Sequence, residues 1–139
     1  EITAAFLLAQ LEHLDEIQTR RKALWNAYAS GLAALAQRGR LVLPNIPAYA
    51  SNNAHMFYVI CASLEERTAL IAHLKQQGIL TVFHYFPLHK SPYYTLRHDG
   101  RDLPHANRFA DCLLRLPMYY NLTATQVNNI CWQITHFYS

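Results

Sequence analysis

The feature that most constrains the fold of this chain is a helix signal that stands between two strand signals. Residues 63–66 (SLEE) have the spacing of a capping box, and Gly78 is a typical residue just past the end of a helix. Segment 55–61 is rich in aromatic and β-branched residues and short enough to be a buried strand, and segment 79–83 (ILTVF) is a second predicted strand. The order predicts a sheet that contains both segments, with helix 64–77 on one face.

Two apolar stripes at helical spacing cover the first third of the chain. Charged residues interrupt the pattern between them, so we predict a bend or break near Asp15, and Gly39 is the predicted end of this region. Together the stripes are wider than one small sheet can cover, so we expect an exposed apolar surface. The first stripe is Leu7, Leu11 and Leu14, and the second is Leu24, Tyr28, Leu32 and Leu35.

The last third of the chain combines two helix signals with an extended stretch. Pro104 stands where proline opens a helix, residues 115–119 are predicted to be extended, and residues 123–126 (TATQ) form a second capping box. The chain therefore indicates a single α+β domain, a small sheet with packed helices. The predicted inward faces are Ala106, Phe109, Ala110 and Leu113 in the first helix and Val127, Ile130, Ile134 and Phe137 in the last.

Composition and charge exclude several classes of protein. At 139 residues, with 52% hydrophobic and 15% charged residues, the chain suits one compact domain and no disordered tail. No apolar run approaches the roughly 18 to 20 residues of a membrane span. The net charge of +3 is dispersed, with residues 20–22 (RRK) as the only basic cluster, so neither nucleic acid nor membrane is an expected partner.

The three cysteines and the first residues carry expectations about origin. Cys61, Cys112 and Cys131 lie in apolar segments and form no CxxC pair, which favours buried free thiols in a reducing, cytoplasmic compartment. The chain opens at Glu1 without an initiator Met or a basic leader, which we interpret as the mark of a fragment or a processed piece.

The strongest candidate for a functional segment is residues 84–89 (HYFPLH), just past the second predicted strand. Imidazole and phenol groups can hydrogen-bond phosphate, hydroxyl or keto oxygens, and Pro87 restricts the segment. Two interpretations stay open: a binding rim, or an aromatic-rich loop that only covers the sheet. Asn53 and His55 flank the start of the first strand, where strand capping is the alternative to a binding role.

The remaining chemistry-bearing residues give weaker signals. His98 and His105 follow the HYFPLH segment, but the spacing matches no HExxH-type zinc site, and no GxSxG or glycine-rich phosphate loop occurs. The lysines, Lys22, Lys75 and Lys90, stand on polar helix faces or after a turn. The chain thus lacks what a self-sufficient enzyme shows. One interpretation is that it is a stand-alone binding or oligomerisation module.

Three stretches, NAHMFYV, GILTVFHYFPLHKSPYY and RLPMYYNLTATQVNNI, together resemble the DegT/DnrJ/EryC1/StrS sugar aminotransferases. These are fold-type I enzymes that depend on pyridoxal phosphate (PLP). The resemblance covers nearly the whole chain and implies that residues 1–139 are a C-terminal small domain. Within it, residues 1–37 resemble the helical segment that links to an absent PLP-binding large domain.

The resemblance also implies a reaction and its partners. Family members move an amino group from glutamate to a 4-keto sugar nucleotide, as homodimers, and their cofactor lysine and phosphate cup belong to the large domain. No catalytic or cofactor-binding residue therefore carries over to this chain. The residues that carry over as substrate-binding candidates are His84, Tyr85 and His89, followed by Asn53 and His55.

Overall fold

The computed structural model describes residues 1–83 and 85–139, and it confirms an α+β fold in which a small sheet is packed by helices. His84 lies outside the described residues. In chain order the helices and strands are α1 (Ile2–Glu12), α2 (Leu14–Gln37), β1 (Phe57–Ile60), α3 (Leu64–Gln76), β2 (Val82–Phe83), α4 (Pro104–Cys112), β3 (Leu113–Leu116) and α5 (Ala124–Phe137).

The sheet has the strand order β1-β3-β2 and is antiparallel throughout. The two predicted strand segments therefore share one sheet, as expected, but they are not neighbours. β3 lies between them, with Phe57 opposite Leu116 on one side and Val82 opposite Arg115 on the other. The predicted bounds were also too wide, because pairing is confined to residues 57–60 and 82–83.

The prediction for α4 was wrong at its C-terminal end. The helix ends at Cys112, and Leu113 is the first residue of β3 rather than part of the helical face. Ala106 and Phe109 are exposed, so they do not form the predicted inward face. The cause is tertiary, since the backbone of β3 makes hydrogen bonds to strands on both sides and each ladder stabilises the extended conformation.

The core forms where α2 and α5 cover the sheet. The second predicted stripe of α2 is buried as expected, together with Val127, Ile130 and Ile134 of α5. Tyr28 is fully buried, its ring stacks on Phe57 at 5.0 Å, and its Oη donates a hydrogen bond of 2.9 Å to the Pro117 carbonyl.

Local signals set the ends of the helices. Thr123 and Gln126 form the complete predicted capping box. Ser63 accepts a hydrogen bond from the Glu66 N–H, but the Glu66 carboxylate accepts from Ala62 N–H, so that box is completed one residue early. The break expected near Asp15 falls at residue 13, between α1 and α2.

Two predictions for helices α1 and α2 have different outcomes. Every residue of α1 is exposed, which confirms the expected apolar surface and assigns it to the first stripe, where Leu7 is 57% and Leu11 53% exposed. The basic cluster is not only a solvated face, because Arg20 donates to the Tyr120 and Leu122 carbonyls and ties α2 to the turn before α5. Among the described residues, no helix meets the length and apolarity that a membrane span requires.

Helices α2 and α5 approach each other closely at a glycine. A Cβ atom at Gly31 would lie 2.7 Å from Cys131 Sγ and 3.1 Å from Cys131 Cβ. Both contacts are shorter than ordinary van der Waals separation, so Gly31 is required by packing.

We predict that Gly31→Ala lowers the free energy of unfolding by up to about 2 kcal/mol. Overpacking costs about 1–3 kcal/mol, and the better helix propensity of alanine offsets about 1 kcal/mol of it. Urea denaturation measures the change. Ala34→Gly, at an exposed position of the same helix, is the matched control for helix propensity alone.

A double-mutant cycle tests whether contact with Cys131 causes the loss of stability in Gly31→Ala. In a Cys131→Ala background, Gly31→Ala should cost less than in the native background, because the Sγ atom that it meets is gone. Equal costs in the two backgrounds would show that another contact limits this position.

Candidate functional site

A cavity of about 450 Å³ lies between the segment that follows β2 and helix α4. The segment leaves the edge strand of the sheet and contains two short 3-10 turns, Leu88–Lys90 and Thr95–Arg97. Helix α4 then returns the chain into the central strand β3. The cavity is lined by Tyr85, Phe86, Pro87, Leu88, His89, Tyr94, His98, Arg101, Leu103, Ala106, Phe109 and Ala110.

Tyr85 opens the described part of this segment in an unusual backbone conformation. Its φ is 65°, in the left-handed region that costs a non-glycine residue about 1 kcal/mol, and its side chain is exposed. It also lines the cavity, and its role in substrate binding stays a prediction. The prediction for His84 falls outside the described residues, so it stays a prediction.

His89 is half-buried and lies within a chain of hydrogen bonds. Its Nε2 is 2.9 Å from Asn107 Oδ1, and Asn107 Nδ2 donates to Asp102 Oδ1 at 3.0 Å. The His98 ring lies 5.4 Å from the His89 ring, centroid to centroid, and His98 Nδ1 accepts a hydrogen bond from Gly100 N–H. The cavity wall therefore holds two imidazoles in defined orientations.

Arg101 gives the cavity a cationic group that the sequence analysis missed. Its side chain is 72% exposed, and its Nε is 3.6 Å from the Asp99 carboxylate. Because both groups are exposed, this ion pair is weak, and the guanidinium remains able to bind an anion. The only sequence signal was the DGRD turn, and Asn107 gave none, because its contact with His89 spans 18 residues.

Asn53 and His55 lie in a different place. His55 Nδ1 is 2.7 Å from Asn53 Oδ1, and the same oxygen accepts a hydrogen bond from the His55 N–H. Ala54 between them has a φ of 51°, so the pair stabilises a tight turn at the start of β1. Neither residue is among those that line the cavity of Tyr85 and His89. A substrate-binding role for them stays a prediction beside the strand-capping alternative.

Metal and thiol chemistry find no support in the described part of the chain. Its His, Cys, Asp and Glu residues include no group of three that could hold a metal ion. All three cysteines are free and buried, as expected. Burial raises the pKa of Cys61 and of Cys131 to about 11, so neither thiol is a nucleophile near neutral pH.

A small α+β domain with a cavity lined by imidazoles, a guanidinium and aromatic rings is suited to a hydroxylated or anionic small molecule. The chain matches the model of the DegT/DnrJ/EryC1/StrS aminotransferase family over residues 1–135. It belongs to this family.

Individual relatives agree with this assignment. The dTDP-3-amino-3,4,6-trideoxy-alpha-D-glucose transaminase of Streptomyces venezuelae is 36% identical over 128 residues, which are 91% of this chain and 32% of that protein. S. venezuelae DesV, solved with a ketimine intermediate, superposes with a TM-score of 0.86 at 35% identity over 96% of this chain and 35% of its own. The PLP form of Spr1654 from Streptococcus pneumoniae gives 0.81 at 26% identity, over 94% and 33%. The chain spans about a third of the length of the curated relative it matches.

We predict that the backbone at residue 85 stores strain that glycine relieves. Tyr85→Gly should be more stable than Tyr85→Ala by about 1 kcal/mol, because only alanine keeps a Cβ in the left-handed region. Thermal or urea unfolding of the two variants measures the difference. Both lack the phenol, so its contacts cancel in the comparison.

Phe86 provides the matched control, since it is exposed, adjacent and outside the left-handed residues. There the order should reverse, with Phe86→Ala more stable than Phe86→Gly. The same order at both positions would mean that the conformation of Tyr85 carries no strain.

Proposed function

We propose that this chain is the C-terminal domain of a PLP-dependent nucleotide-sugar aminotransferase, and that its cavity faces the sugar nucleotide. The observation that carries the proposal is the cavity itself, because His89 and Arg101 line it together in a chain of this family. An imidazole and a guanidinium match the hydroxyl and phosphate groups of such a substrate. His84 and Tyr85 belong to the same proposed rim.

The cofactor is assigned to a part of the protein outside this chain. A lysine that forms a covalent bond to a carbonyl compound needs an amine activated by burial or by a neighbouring charge. Lys22, Lys75 and Lys90 are all exposed. The described residues of this chain therefore do not fit PLP on their own. In the proposal, residues 1–37 link to the domain that binds the cofactor, which supplies the electron sink of transamination.

The proposed substrate is a 4-keto-6-deoxy sugar nucleotide, with glutamate as the amino donor. The segments AHMFY, VFHYFPLH and LLRLPMYYNL resemble the dTDP-4-amino-4,6-dideoxygalactose transaminase of enterobacterial common antigen synthesis. The transaminase from S. venezuelae, by its name, also forms a dTDP-linked amino sugar. We further propose a cytoplasmic homodimer that acts in the synthesis of a cell-surface polysaccharide.

We predict that loss of His84 or His89 affects the two half-reactions of the full-length protein unequally. Replacement of either residue by alanine should cost about 1–3 kcal/mol with the keto sugar, the usual cost of one lost hydrogen bond in a buried or charged setting. The loss with glutamate should be smaller. Single-turnover kinetics of each half-reaction measures both. His105→Ala, an exposed histidine of α4 outside the cavity, is the matched control.

Equal losses in the two half-reactions would mean that the segment acts only through the structure of the domain. That result would favour the alternative interpretation of residues 84–89 as a loop that covers the sheet.

A further prediction concerns the chain by itself. Mixed with PLP, it should neither transaminate nor develop the absorbance of a PLP-lysine linkage at a defined site, because its three lysines are exposed. Spectrophotometric titration of the chain, with Lys22→Ala, Lys75→Ala and Lys90→Ala as comparisons, tests this. An absorbance band that one of these substitutions abolishes would contradict the assignment of the cofactor to another domain.

A further inference from the structure

We propose that Asp102 and Asn107 are positioning residues that fix His89 as the Nε2–H tautomer, so that its Nδ1 accepts a hydrogen bond from a sugar hydroxyl. The inference deepens the proposed function and rests on it for the identity of the ligand. It concerns a contact that links the segment after β2 to helix α4.

The first step is the orientation of the Asn107 side chain. A carboxylate offers only acceptors, so the group that Asn107 turns toward Asp102 must be its NH₂. The Nδ2 of Asn107 donates to Asp102 Oδ1 at 3.0 Å accordingly. With its nitrogen committed to the carboxylate, the amide presents its oxygen to His89.

The second step is the tautomer of His89. Its Nε2 lies 2.9 Å from Asn107 Oδ1, and an amide oxygen is an acceptor only. The proton of the neutral imidazole must therefore be on Nε2, and Nδ1 keeps its lone pair. Asp102 thus acts on His89 through one intervening amide.

The third step identifies the ring nitrogen of His89 that remains available to a ligand. His89 lines the cavity, and its Nε2 is committed to Asn107, which is not among the lining residues. Nδ1 is the ring nitrogen that remains. A lone pair there accepts from a hydroxyl and repels a phosphate or keto oxygen, which leaves Arg101 as the group for an anion.

The neighbouring imidazole of His98 does not offer a second acceptor to a ligand. His98 has a side chain only 12% exposed, and its Nδ1 accepts from the Gly100 N–H at 3.1 Å. A neutral His98 is therefore also an Nε2–H tautomer. The Nδ1 of His98 is committed to the backbone N–H of Gly100. His89 is therefore the imidazole of the pair whose acceptor remains for a ligand.

The test reads the tautomer directly and needs no turnover. In the full-length protein labelled with ¹⁵N-histidine, the chemical shifts of the His89 ring nitrogens should report Nε2–H at a pH where the ring is neutral. Asp102→Ala and Asn107→Leu should each raise the ratio of the Nδ1–H to the Nε2–H tautomer about 2- to 10-fold, the range for one lost hydrogen bond. Asp102 is exposed, so its replacement leaves the fold intact.

A charge swap provides the rescue. In the double variant Asp102→Asn with Asn107→Asp, the new amide donates to the new carboxylate, which still accepts from His89 Nε2–H. The native tautomer ratio should return. Asp99→Ala, which removes a neighbouring carboxylate with no bond to Asn107, should leave the His89 ratio unchanged.

Binding of TDP-4-oxo-6-deoxy-D-glucose separates this proposal from the proposed function. We expect Kd in Asp102→Ala to rise by the factor by which the measured fraction of the Nε2–H tautomer falls, and to recover in the swap variant. An unchanged tautomer ratio in both single variants overturns the positioning role, whatever happens to Kd. A changed ratio with a Kd that does not follow the fraction of the Nε2–H tautomer upholds the positioning role and overturns the contact between His89 and the sugar.

Discussion

The buried phenol of Tyr28 is the contact on which the other layers of the domain depend. Its ring stacks on Phe57 of β1, and its hydroxyl donates to the Pro117 carbonyl just past β3, so one side chain of α2 fixes two strands. Burial raises the pKa of Tyr28, which keeps the hydroxyl protonated as a donor at physiological pH. Because β3 is the central strand, the positions of β2 and of helix α4 follow from this arrangement.

A second buried group connects that core to the cavity. Arg67 of α3 donates to the Ala110 carbonyl at 3.2 Å, and its guanidinium lies 5.2 Å from the ring centre of Phe83. It therefore holds both α4 and β2, the two elements between which the cavity forms. The cavity wall on α4 is connected to the core by this contact and by the direct continuation of α4 into β3. Such connections suit residues that must present hydrogen bonds in fixed directions.

The sequence predicted those features that local chemistry determines. Three such features depend on residues a few positions apart: the Thr123 cap, the buried face of α2 and the end of α3 before Gly78. The φ of Gly78 is 72°. The central position of β3 was not predictable in this way. Leu113 continues the helical spacing of Phe109, and no glycine or proline marks the end of α4. Only the pairing of β3 with two distant strands ends that helix.

The residues of the candidate site show the same difference between local and long-range features. Residues 84–89 were recognisable because their residue types and the proline stand together in the sequence, whereas Asn107 joins His89 only through the fold. The most direct test of the account is the structure of the full-length protein bound to TDP-4-oxo-6-deoxy-D-glucose. It should show His89 Nδ1 at about 2.7–3.2 Å from a sugar hydroxyl oxygen. A sugar nucleotide bound at the active site without contact to the segment after β2 or to Arg101 would contradict it.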